Sequence, residues 1–182
     1  MPRVINRPRA AFVFIFITVL LDMVSFGMII PVFPQLILRL QGGEMAGAAA
    51  IFGIFGTAFA VMQFFFSPIQ GALADRFGRR PVILLSNLGL GLDYIVMALA
   101  PTIPILFIGR LVSGATSASF SVSGAYVADV TPPEKRAARF GMLGAAFGIG
   151  FILGPALGGV LGAIDLRAPF WAAAALSIAN FL

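Results

Sequence analysis

Apolar residues run through this chain in long blocks, and charged or helix-breaking residues gather in the short gaps between them. The blocks lie at about residues 10–38, 45–73, 81–100, 104–129 and 140–164, and a sixth, 168–182, opens at Ala168. Between them stand the breakers Gly42–Gly43, Gly78, Pro101 to Pro104, Pro132–Pro133 and Pro169. The first five blocks meet or exceed the roughly 20 residues that a helix needs to cross a hydrocarbon core of about 30 Å. They are continuous and lack the ten-residue alternation of barrel strands, and lipid requires each segment to satisfy its own backbone groups. The pattern predicts an all-α membrane protein of six helices.

Composition agrees with that solvent. Sixty per cent of the 182 residues are hydrophobic and only 10% are charged, with a mean hydropathy of +1.03, which a soluble domain of this size could not bury. The opening MPRVINRPRA followed by AFVFIFITVLLDMVSF has the outline of a secretory signal. Its apolar run is too long and no small-residue cleavage site follows, so it reads as a retained first helix. There is no cysteine, which rules out disulfides and thiolate metal sites. The sixth block spans about 22 Å at 1.5 Å per residue, short of a full crossing, so the sequence reads as a fragment of something larger.

Charge sorts by gap. The tail holds Arg3, Arg7 and Arg9, the second connection Arg76, Arg79 and Arg80, and the fourth Lys135, Arg136 and Arg139. The odd connections hold only Arg39 and Arg167. This bias predicts that the N-terminus and the even connections are cytoplasmic. The same clustering makes nucleic acid a poor explanation of a pI near 11.1, because the basic residues form spaced groups rather than one stripe.

Three charges fall inside apolar blocks: Asp22, Asp93 and Arg110. Each costs on the order of 3 kcal/mol at a helix centre, so each should face a cavity or a partner. A buried carboxylate near a guanidinium feels low dielectric and the opposite charge in opposite directions, which poises it to exchange a proton; a static ion pair that fixes packing is the bland alternative. Gln63 and Asn87 are candidates for the same cavity wall, although buried amides also serve as interhelical glue. In the fifth block, Gly150, Gly154, Gly158 and Gly162 recur at i, i+4 and predict a stripe that another backbone can approach closely. Pro155 should bend that helix.

These residues carry a family resemblance. Gly71, Asp75, Arg76, Gly78, Arg79 and Arg80 fit G-x-x-x-D-R-x-G-R-R between the second and third helices. Arg110 with Gly114 fits a fourth-helix pattern in which an arginine is linked to proton transfer, with Ser113 where glutamine is often found. Gly150, Gly154, Pro155, Gly158 and Gly159 fit the fifth-helix pattern G-x-x-x-G-P-x-x-G-G, and Asp22 with Pro31 and Pro34 fits a first-helix signature. The chain resembles the N-terminal six-helix half of the major facilitator superfamily, in particular its drug/proton antiporters of the tetracycline-efflux type.

The resemblance implies two inverted three-helix repeats, with residues 162–167 as a weak echo of the charged loop. It implies a missing C-terminal half, and proton-driven export of a small molecule by alternating access, with no cofactor and no metal. Asp22, Asp93 and Arg110 would couple protons, and Asp22, Gln63, Asn87 and Asp93 would line the substrate cavity. The charged stretch would act as a cytoplasmic gate in which Arg79 reaches Asp129 and Asp75 faces the absent half. The alternative is a half-size membrane protein that assembles with partners without transporting. An intramembrane enzyme is disfavoured, since the chain has no histidine and no serine with an evident base.

Overall fold

The computed structural model describes residues 8–117 and 119–182; Arg3 and Arg7 of the basic tail lie outside them. Among the described residues eight helices follow one another: α1 (Pro8–Ile29), α2 (Phe33–Leu40), α3 (Met45–Phe77), α4 (Arg79–Leu99), α5 (Ile103–Thr116), α6 (Ser119–Val130), α7 (Pro133–Ile164) and α8 (Ala168–Phe181). Five apolar spans are long enough to cross a membrane, with α1 and α2 sharing one and α5 and α6 another; α8 is shorter.

Two expected helices are thus split. The first stops at Ile29 because Pro31 has no N–H and restricts the residue before it. The chain tightens there through Ile30 N–H to the Gly27 carbonyl and Val32 N–H to the Ile29 carbonyl, and restarts with Pro34 in the first turn of α2. The fourth parts after Thr116. Here the Thr116 hydroxyl donates to the Val112 carbonyl and the Ser117 hydroxyl to the Gly114 carbonyl, local bonds that compete with the helix ladder. Gln70 of α3 donates to the neighbouring Ala115 carbonyl.

Two helices outrun the apolar blocks. The helix α3 continues to Phe77, and a single residue, Gly78, turns the chain into α4 at φ 94°. The charged stretch is therefore a corner between two helix ends rather than a loop. The helix α7 begins at Pro133, seven residues before residue 140, since proline suits the first helical position and Glu134 suits the first turn.

The fold centres on α1, which packs along α7 and α8, while α4 packs on α5 and α8 and α3 on α5. Two apolar cores result. One, around Phe12, Ile15, Val19, Ile83 and Leu143, sits toward the end that carries the arginines. The other, around Met28, Phe33, Leu90, Met97 and Phe170, sits toward the opposite end. Asp22 and Asn87 fall between these sets along α1 and α4, in a buried polar layer with Thr18, Ser177 and Asn180. Large apolar side chains on α3 and α7, among them Phe64, Phe65, Ile152 and Val160, face outward.

Candidate functional site

Asp22 is the hub of the polar layer. It is 6% exposed, on the first span. Asn180 of α8 donates its Nδ2 to Asp22 Oδ1 at 3.0 Å and to the Thr18 carbonyl, one turn earlier on α1, at 3.1 Å. Asn87 of α4, with its amide turned to suit its neighbours, donates to both Asp22 oxygens at 3.2 Å and accepts from Asn180 at 3.1 Å. Amide donors from two helices thus converge on one membrane-embedded carboxylate. Asn180 escaped the sequence analysis, although it and Ser177 are the only strongly polar side chains of α8.

Asp22 also opens onto a cavity of about 320 Å³. Gln63, Tyr94, Ser113 and Ser117 supply the other polar groups of its wall, and Met23, Phe26, Phe59, Leu90, Phe147 and Phe151 the apolar remainder. A few fixed polar groups in an aromatic surround suit an amphipathic small molecule. Of the four residues expected on the wall, Asp22 and Gln63 are there. Asn87 and Asp93 are not, being 0% and 1% exposed, because α4 turns those positions inward and presents Leu90 and Tyr94 to the cavity instead.

Asp93 lies deeper, against α5. A Cβ on Gly109 would stand 2.7 Å from Asp93 Oδ1 and 3.1 Å from Met97 Cγ, so it is the bare glycine that lets α5 reach the carboxylate. Ser113 and the Arg110 guanidinium are the polar groups turned toward Asp93, yet neither oxygen makes a hydrogen bond of good geometry among the described residues. Arg110 is 9% exposed, and its guanidinium lies 4.2 Å from the centre of the Phe33 ring, a cation–π contact. It lines a second, aromatic cavity of about 150 Å³ between α1, α2, α3 and α5. The three charges are therefore spread over adjoining compartments.

At the arginine-bearing end, Arg79 Nε donates to Asp129 Oδ2 at 2.6 Å, and its terminal nitrogen meets Asp75 Oδ1 at 3.1 Å. One guanidinium ties the starts and ends of α3, α4 and α6 together. Arg76 lies over Phe77 and Arg80 over Phe14, each 5.2 Å from the ring centre. A Cβ on Gly71 would meet nothing within 4 Å, so that position is an open notch beneath Asp75. At the opposite end Arg167, which the sequence marks only as a charge in the fifth connection, donates to the Ala98 and Ala100 carbonyls at 2.7 and 2.8 Å. It thereby satisfies carbonyls at the end of α4.

The glycine stripe of α7 lies on α1. A Cβ on Gly150 would collide with Met23, one on Gly158 with the Met28 carbonyl, and one on Gly162 with Val32. On Gly154 it would sit 2.6 Å from the Cα of Gly27. Gly159 faces open space, off the stripe, and α7 continues through Pro155 without interruption.

Comparison with known proteins agrees with this architecture. Residues 15–182 match the Major Facilitator Superfamily model. The chain is 47% identical over 176 residues to the class C tetracycline resistance protein of Escherichia coli, covering 97% of this chain and 44% of that protein. It is 33% identical to multidrug resistance protein 2 of Bacillus subtilis, covering 98% and 44%. The crystal structure of the human organic anion transporter MFSD10 superposes with a TM-score of 0.85 at 28% identity, over 97% of this chain and 46% of that one. The chain thus spans somewhat under half the length of these relatives. With this bundle, these motifs and these matches, the chain is a multi-pass membrane protein that belongs to the major facilitator superfamily.

Proposed function

We propose that the protein works as the N-terminal half of a proton-coupled exporter of a drug-like or tetracycline-like small molecule. One observation carries the reading: Asp22, an ionisable group in the middle of an apolar span, opens onto a cavity of drug-like size and chemistry. The tetracycline class follows from the names of the class C and other resistance relatives, which are 41% to 47% identical. In this reading the chain sits in the plasma membrane with its arginine-bearing end cytoplasmic, and a second six-helix half completes the cavity. The two halves rock to expose it alternately to either side.

Protonation of Asp22 neutralises the cavity and favours substrate release outward, and deprotonation inward restores binding. Coupling needs the two states to differ in affinity for substrate or proton. One proton crossing 100 mV contributes about 2.3 kcal/mol. Asp93 and Arg110 take part from the adjoining compartments. Asp75, Arg76, Arg79, Arg80 and Asp129, with Gly71 and Gly78, form the cytoplasmic gate, and Gly150, Gly154, Pro155, Gly158 and Gly159 the antiporter helix motif.

The test is reconstitution in vesicles with an imposed pH gradient, of this chain and of a twelve-helix protein carrying it. Uphill tetracycline accumulation is expected in the twelve-helix form, and its loss in Asp22→Asn with insertion intact. Absence of both substrate and proton movement in either form sinks the antiporter reading. Unchanged transport in Asp22→Asn assigns that carboxylate to packing.

A further inference from the structure

Asn180 needs an explanation of its own. Its one amide nitrogen serves two acceptors on successive turns of α1, the Asp22 carboxylate and the Thr18 carbonyl. Its contact with Asn87 adds a third acceptor on a third helix, so one of its two N–H groups is shared between acceptors. Simple glue between α8 and α4 would not need Asp22, because those helices already seat closely where Gly91 meets Ile178 and Ser177; a Cβ on Gly91 would fall 2.8 Å from Ile178 Cγ1.

The polarity of the cluster follows from Asp22. An ionised carboxylate is an acceptor only, so Asn87 must turn its nitrogen toward it. That leaves the Asn87 oxygen facing Asn180, which must in turn offer its own nitrogen. A protonated Asp22 carries an O–H that needs an acceptor, and the Asn87 amide, which faces both Asp22 oxygens, offers its oxygen after one half-turn. The Asn87 nitrogen then faces the Asn180 nitrogen, and two donors cannot stay together. Asn180 turns over as well, and its nitrogen leaves the Thr18 carbonyl. The proton arrives on an Asp22 oxygen from the cavity and departs the same way, and the amides exchange none.

We propose that Asn180 and Asn87 are positioning residues that report the proton state of Asp22 to α8. Two amide reversals convert one proton into the making or breaking of the α1–α8 tie, while α8 stays seated on α4. This rests on the reading of Asp22 as the coupling carboxylate. Tyr94 of α4 is the ionisable side chain that feels Asp22, and it lies in turn beside Asp93 of α4 and Arg110 of α5. Within the membrane α7 and α8 contribute no ionisable side chain.

Infrared difference spectroscopy of the chain in lipid vesicles, stepped across pH with isotope-labelled asparagine, reads both partners. Asp22 is assigned by the band lost in Asp22→Asn. Proton uptake is expected to change the side-chain amide bands of the parent protein at the same pH midpoint as the Asp22 carboxyl band. Asn180→Leu, of similar volume, should shift the Asp22 band and remove one amide component, and Asn180→Gln should restore part of it. Amide bands that stay silent while Asp22 titrates in the parent overturn the proposal, and so does an Asp22 band unmoved in Asn180→Leu with lowered thermal stability. Transport keeps the two ideas separate. Asp22→Asn that still drives uphill export sinks the coupling role without touching the amide result, and silent amides leave a transport-dead Asp22→Asn unaffected.

Discussion

The contact between α1 and α7 offers the sharpest test of the fold, through a pair of alanine substitutions on one helix. At Gly154 a new Cβ would meet the Gly27 Cα at 2.6 Å and the Gly27 carbonyl carbon and Val24 oxygen at 2.9 Å. All three are backbone atoms, so no rotamer change can make room. Ordinary contact starts near 3.4 Å, so the helices must separate by about 0.8 Å, and overpacking of this kind costs about 1–3 kcal/mol. The upper part of that range applies where neither side can yield. Against it stands the helix preference for alanine, about 1 kcal/mol, which leaves a net loss of about 2 kcal/mol for Gly154→Ala.

Gly159 lies five residues on, in the same helix, with nothing within 4 Å of an added Cβ. Gly159→Ala keeps the propensity gain and meets no clash, so it should stabilise by about 0.5–1 kcal/mol. The two variants should therefore differ by about 3 kcal/mol, on the order of 100-fold in the unfolding equilibrium. Equilibrium unfolding in mixed detergent micelles, followed by circular dichroism, measures that difference. Equal stabilities for Gly154→Ala and Gly159→Ala would refute the close approach of α7 to α1.

Two further outcomes are expected from the helix ends. Arg167→Met strands the Ala98 and Ala100 carbonyls and should cost about 1–3 kcal/mol in the same assay, and Arg167→Lys should recover less than half, since an ammonium lacks the planar fork that spans both oxygens. Gly78 sits at φ 94°, ψ 152°, a region open essentially to glycine, so Gly78→Ala should cost about 1–3 kcal/mol; a Gly78→Ala protein as stable as the parent would count against a one-residue corner.

The positions that sequence analysis missed share a physical cause. Hydropathy measures the solvent, so it marks the lipid-embedded blocks but is blind to what ends a helix inside one. Pro31 was visible, yet whether it bends or splits a span depends on how the freed backbone groups are satisfied. The Thr116 and Ser117 hydroxyls could equally have left their helix intact. Charge also misled at the other margin: Lys135, Arg136 and Arg139 look like a connection, but a helix that projects beyond the bilayer carries them at little cost.

Sequence by itself determined the solvent, the helical class, the gathering of arginine at one end and the glycine stripe of α7, because each is a local or periodic property of the chain. The stripe could even be separated from Gly159 by helical period alone. Only the tertiary structure decided partners. It put Asp75 on the same guanidinium as Asp129, whose pairing with Arg79 the family resemblance implied, set Asp93 behind the cavity wall at Gly109, and brought Asn180 across 158 residues of chain to Asp22. An asparagine in an apolar helix carries no label for its acceptor; the packing of α8 against α1 and α4 supplies it.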